Sequence, residues 1–170
     1  EELANGGALV SVMHASTEIG TIEPLEELAA ACREFDVPMH SDGWGAAGVV
    51  AVDVKGLGIG AYSIAAQNFG GPPGAAALVL PKGTPARALI EGGVQERGLR
   101  AGQENIPAIA GMGVAAELAL KEMEAVAART LATRDALIAR RPSEIEDGVA
   151  TGHPERRLRH RHRHNGLRPR

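Results

Sequence analysis

Aromatic residues are almost missing from this chain: Phe35, Trp44, Tyr62 and Phe69 are the whole set, 2% of 170 residues. A core must therefore be assembled from the aliphatic side chains that dominate an apolar share of 44%. Cysteine occurs once, as Cys32, which excludes an internal disulfide and suits a reducing, cytoplasmic setting. No apolar run approaches the roughly 20 residues that a membrane span needs. The chain opens on Glu1-Glu2 rather than on a basic stretch before an apolar one, so neither a membrane segment nor a signal peptide is expected. Positive charge is scarce in the body. Residues 151–170 hold seven arginines against one acid, Glu155, which leaves 11 basic and 20 acidic side chains for residues 1–150. Such an acidic body argues against nucleic-acid binding as the main task.

Glycine and proline are plentiful, 22 and 10 respectively, and punctuate the chain with turns. The first apolar run, Ala8-Leu9-Val10-Ser11-Val12-Met13, is short and unbroken like a buried strand. After a polar loop over 14–21, Pro24 opens an amphipathic helix to about residue 35, with Leu25, Leu28, Ala31 and Cys32 on one face. Cys32 thus reads as a core thiol rather than a catalytic one. Val37-Pro38-Met39-His40 reads as a second strand ending at Ser41-Asp42. A strand–loop–helix–strand unit implies parallel strands and an α/β layer fold. Two further strands are expected at 62–65 and 76–80, joined by the stiff turn Gly70-Gly71-Pro72-Pro73-Gly74. Its prolines lack N–H groups, so its role is structural. A Gly- and Arg-rich loop over 92–102 precedes a long helix capped by Asn105, with Pro107 in its first turn. That helix runs to about 140 and is expected to weaken, or to pack closely on something, near Gly111 and Gly113.

Four segments carry a resemblance, and they occur in one order with one spacing. His14-Ala15-Ser16-Thr17-Glu18-Ile19-Gly20-Thr21-Ile22-Glu23-Pro24 is similar to N-N-E-x-G-x-x-x-P. His40-Ser41-Asp42-Gly43-Trp44-Gly45-Ala46-Ala47-Gly48 is similar to H-x-D-A-x-Q-x-x-G. Ala65-Ala66-Gln67-Asn68-Phe69-Gly70-Gly71-Pro72-Pro73-Gly74 is similar to S-x-H-K-x-x-G-P-x-G. Gln95-Glu96-Arg97-Gly98-Leu99-Arg100-Ala101-Gly102-Gln103-Glu104-Asn105 is similar to Q-E-R-G-x-R-x-G-T-x-N. Together, over about residues 3–153, they resemble the middle of a cysteine desulfurase of the class V aminotransferase superfamily. The resemblance implies part of the large domain of a fold type I pyridoxal-phosphate (PLP) transferase: a mostly parallel sheet flanked by helices, ending in a long helix. It implies PLP as cofactor, L-cysteine as substrate, a sulfur acceptor and a homodimer. It implies neither a resident metal nor a membrane or nucleic-acid partner. Residues 1–141 would be the partial large domain with its linking helix over about 105–140. Residues 142–170 would begin the link to a small domain and pass into a disordered basic tail, which reads like a shifted reading frame.

In that family a lysine holds PLP as a Schiff base, an aspartate pairs with the pyridine nitrogen, and a further cysteine attacks the substrate sulfur. Asp42 stands at the aspartate position, at the carboxyl end of a strand where α/β folds place ligands; capping a turn is the simpler reading of the same residue. The other positions depart. Asn68 occupies the lysine position, and an amide forms no Schiff base. Gln67 replaces the preceding histidine and Ala65 a phosphate-binding serine. Gly45 replaces the ring-edge glutamine, Thr17 an asparagine, and Gln103 the threonine that reaches the partner subunit's phosphate. The regions that would supply the ring-stacking histidine and the sulfur-accepting cysteine have no counterpart here. His40 matches a family histidine and reads as packing or hydrogen bonding near the site. The alternating tail histidines His160, His162 and His164 make at best a weak, unselective metal site.

Three functions follow: a desulfurase remnant without activity, a PLP lyase or aminotransferase using a substitute among Lys55, Lys82 and Lys121, or a non-catalytic dimerisation or binding module.

Overall fold

A computed structural model describes residue 3 and residues 6–144, 148–150, 152–153 and 167–169. The first run becomes strand β1, Val10–Met13, and the amphipathic segment becomes helix α1, Leu25–Glu34. Pro24 is the residue just before the helix rather than within it, and Glu26 and Glu27 fill the first turn while Arg33 sits in the last, each charge opposing the helix dipole end beside it. The chain leaves α1 through Asp36 in the left-handed region (φ 54°), where Val37 N–H donates to the Cys32 carbonyl at 2.9 Å.

Strand β2, Met39–Asp42, starts two residues later than the sequence implied, because Pro38 has no N–H for a ladder. A short helix α2, Val54–Leu57, capped by the Asp53 carboxylate, was not anticipated; four residues are too few for a periodic signal. Strands β3, Ala61–Ala65, and β4, Ala76–Val79, complete a four-stranded sheet in sequence order. The β1–β2 and β2–β3 pairs are parallel and β3–β4 is antiparallel. A 3-10 turn, Ala66–Phe69, leads to Gly70, whose φ of 91° turns the chain back.

Helix α3 spans Ile106–Glu144, and the Asn105 carboxamide oxygen accepts from Ala108 N–H at 3.3 Å, as its capping role required. A Cβ on Gly111 would lie 2.7 Å from Pro72 Cγ. That glycine therefore lets α3 close on the β3–β4 turn, whereas Gly113 faces open space. In the basic tail, Leu167–Pro169 pairs antiparallel with Gly148–Ala150; residues 154–166, with the alternating histidines, lie outside the described residues.

Alternation sorts the sheet into two faces. Met39, Tyr62 and the half-buried Val10, Val12 and Ile64 pack with Leu25, Ala29, Cys32 and Ile59 into the main core. Cys32 is buried there. The opposite face carries Ser11 and Met13, His40 and Asp42, Ser63 and Ala65, and Leu78. Met13 and Leu78 on it are more than half exposed.

Candidate cofactor site

Asp42 ends β2 on the open face of the sheet. Its Oδ1 accepts from the Trp44 N–H at 3.0 Å and from the Ser63 hydroxyl at 3.1 Å. The first bond is an Asx turn, so the turn-capping reading and the ligand reading describe the same residue. Oδ2 receives no hydrogen bond among the described residues.

The loop after Asp42 is threaded through a tight space. Gly43 N–H donates to the Ser63 carbonyl at 2.8 Å, and Ala46 N–H closes a turn onto the Gly43 carbonyl at 3.0 Å. A Cβ on Gly43 would overlap the Tyr62 ring, one on Gly45 would overlap the Ala15 carbonyl, and one on Gly48 would lie 2.5 Å from Phe69 Cβ. From the other side, Asn68 Nδ2 donates to the Trp44 carbonyl at 2.8 Å. The peptide groups around Trp44 are thus held at both ends, by Asp42 and by Asn68. A cavity of about 220 Å³ opens beside Asn68, between the 3-10 turn and α3, lined by Gly48, Phe69, Leu118 and Glu122.

Beneath the loop lies a pair that sequence reasoning missed. His14 Nδ1 and the Tyr62 hydroxyl are 2.8 Å apart, both side chains are buried, and the rings meet edge to face at 5.8 Å. Burial pushes the His14 imidazole below its ordinary value of 6.5. Burial, then the nearby Asp42 charge, pushes the Tyr62 phenol far above its ordinary range. The unfolded chain takes up the His14 proton near pH 6.5 while the folded chain resists it. The contribution of His14 to stability is therefore expected to be undiminished above that value and to fall as the pH drops below it. Urea unfolding of wild type and His14→Asn at pH 7.5 and pH 5 checks this. The asparagine keeps a polar atom at the Nδ1 position and does not titrate, so its loss on acidification should be smaller. An equal loss in both would remove His14 as the cause.

Of the positions singled out from the sequence, Asp42, Gly45, Thr17 and Asn68 gather around this loop. Thr17 Cγ2 lies 3.2 Å from where a Gly45 Cβ would stand. Ala65 closes β3 on the same face as Asp42 and Ser63. Gln67 is exposed in the 3-10 turn, and Gln103 is exposed in the segment before α3, with no hydrogen bond among the described residues. Lys55 is on α2, Lys82 follows β4 and Lys121 is on α3; none lies on the strands or loop that carry Asp42. No helix among the described residues is long and apolar enough to cross a membrane, and no metal-binding cluster occurs among them.

The aminotransferase class-V family matches residues 1–159. The chain is 43% identical over 150 residues to the cysteine desulfurase IscS of Dictyoglomus turgidum, covering 88% of this chain and 38% of that protein. It is 40% identical over 156 residues to the cysteine desulfurase NifS of Azotobacter vinelandii, covering 92% and 39%. Among solved structures, a NifS-like protein from Rickettsia africae superposes with a TM-score of 0.85 at 25% identity, over 93% of this chain and 44% of that one. DndA from Streptomyces lividans superposes at 0.79 with 29% identity, over 89% and 44%. The chain spans about two fifths of the length of the curated relatives it matches. The sheet and long helix are those of the PLP-dependent NifS-like fold.

PLP is the cofactor of this fold family, and the residues present meet its demands unequally. The Asp42 carboxylate, held by two donors and with Oδ2 unclaimed, suits a protonated ring nitrogen. Asn68 does not suit a covalent anchor: it has no amine, and its amide is engaged with the Trp44 carbonyl. Gly45 brings no donor to a ring edge and has no space for one. The donor set as a whole does not fit a Schiff-base cofactor.

Proposed function

The chain belongs to the aminotransferase class-V family, and on that footing we propose that it is a cysteine desulfurase segment that has lost its Schiff-base chemistry. The parent activity is removal of sulfur from L-cysteine to supply iron–sulfur or thio-cofactor assembly, and the parent assembly is a homodimer in the cytoplasm. The observation that carries the reading is the Asn68 amide bound to the Trp44 carbonyl, at the position where a free amine is required. Retention of Asp42 with its oriented carboxylate supports descent from a cofactor site, and the chain covers 38% and 39% of the two desulfurases it was aligned with.

The test is to add PLP, reduce with borohydride, remove free cofactor and map the adduct by peptide mass. Labelling is expected to be substoichiometric and spread over the exposed Lys55, Lys82 and Lys121. A stoichiometric adduct on one of them would replace this reading with that of an active PLP lyase or aminotransferase. Diffuse labelling together with a concentration-dependent mass would favour the non-catalytic dimerisation module.

A further inference from the structure

We propose that Ser11, His40 and Ser63 form a one-way hydrogen-bond relay that holds Asp42 in its orientation, with His40 fixed as the Nε2–H tautomer. The four side chains come from three neighbouring strands on the open face of the sheet. Ser11 Oγ and His40 Nδ1 are 2.8 Å apart, His40 Nε2 and Ser63 Oγ are 3.2 Å apart, and Ser63 Oγ and Asp42 Oδ1 are 3.1 Å apart. The register makes this possible: Ser11 pairs with His40 across β1–β2, and Ser63 pairs with Asp42 across β2–β3.

Hydrogen counting sets the direction. A carboxylate oxygen only accepts, so Ser63 must give Asp42 its single hydroxyl hydrogen. Ser63 then has only lone pairs to offer His40, so Nε2 must carry the hydrogen of that contact. In the neutral ring Nδ1 is left as the acceptor, and the Ser11 hydroxyl donates to it. Every donor in the chain points toward Asp42. Reversing one link would leave two acceptors, or two hydrogens, facing each other. His40 is accordingly a positioning residue: it touches Ser63, and Ser63 touches the carboxylate.

The consequence falls on Oδ1, which Ser63 shares with the Trp44 N–H. A hydroxyl locked by His40 keeps Oδ1 turned toward the loop and leaves Oδ2 as the unclaimed oxygen. The relay does not depend on whether any cofactor binds, so it stands or falls separately from the proposed function.

Nitrogen-15 NMR of the His40 ring in the full chain should show a protonated Nε2 and an unprotonated Nδ1 at neutral pH. Amide exchange at Trp44 reports the grip on Oδ1. Ser63→Ala should speed it by about two- to tenfold, the span of one net hydrogen bond. His40→Ala should speed it less, Ser11→Ala least, and Ser63→Thr, which keeps a hydroxyl, should restore it. Exchange at the Ser41 amide, inside the ladder, should stay unchanged in all four and separates the relay from general loosening. A dominant Nδ1–H tautomer in the wild type, or Trp44 exchange indifferent to both Ser63→Ala and His40→Ala, would overturn the proposal. Should Ser63→Ala fail to fold, the wild-type tautomer and the His40→Ala exchange rate still decide it.

Discussion

Gly45→Gln, which puts back the residue that the family pattern carries, is expected to destabilise the chain by on the order of 3 kcal/mol or to prevent folding. The cause is the first carbon and not the amide. Gly45 is buried, and its Cβ would overlap the Ala15 carbonyl, a backbone group that cannot swing aside as a side-chain tip does. Ala15 is held by its own neighbours: Ser16 N–H donates to the Thr21 carbonyl at 2.9 Å and His14 N–H to the Asp42 carbonyl at 2.8 Å. Gly45→Ala should therefore cost nearly as much as Gly45→Gln, since both carry the offending atom. Thermal or urea unfolding of the two variants decides the matter. A Gly45→Gln protein as stable as wild type would mean that the loop has a second arrangement, able to readmit a ring-edge amide.

Tyr62 is expected to be the costliest side chain to truncate, with Tyr62→Ala losing about 3–5 kcal/mol. It is 1% exposed, among the largest fully buried side chains, and at the centre of the main core between α1 and the sheet. Tyr62→Phe separates the ring from its hydroxyl. It keeps the packing but leaves His14 Nδ1 buried without its 2.8 Å partner, at an expected cost of about 1–3 kcal/mol. Gly43 supplies a cross-check, because the ring occupies the space a Gly43 Cβ would need. Gly43→Ala should be severe in the wild type and milder on a Tyr62→Ala background, so the double variant should lose less than the two single losses added. Additive losses would show that the ring does not set the space at position 43.

Much of this arrangement could be read from the chain, and the part that could not has a common origin. Strand and helix positions follow from local pattern: Pro24 before an acidic turn, an unbroken run ending at Met13, Asn105 ahead of a long alanine- and leucine-rich helix. Asp42 and Asn68 were legible because each sits inside a motif. His40 and Asp42, two apart on one strand, necessarily share a face, but their partners Ser11 and Ser63 are identified only once the register of three strands is known. The same holds for His14 and Tyr62, 48 residues apart. Gly45 looked like the simple loss of a side chain; that Gly43 and Gly45 are also the residues the packing demands depends on Tyr62 and Ala15, contacts that no local pattern contains. Helix α2 escaped because it is one turn long.

The order of the strands bears on how the chain reaches this state. β3 and β4 are antiparallel neighbours separated by ten residues, whereas β2 and β3 are separated by 18 and β1 and β2 by 25, with α1 inside the last gap. Closing the short hairpin sacrifices the least chain freedom before any contact rewards it. The β3–β4 hairpin, stiffened by Pro72 and Pro73, is thus the natural nucleus, with β2 and then β1 docking onto it in turn. Asp42 and His40 would then acquire their partners in two separate stages: Ser63 as β2 arrives, and Ser11 only when the last strand closes.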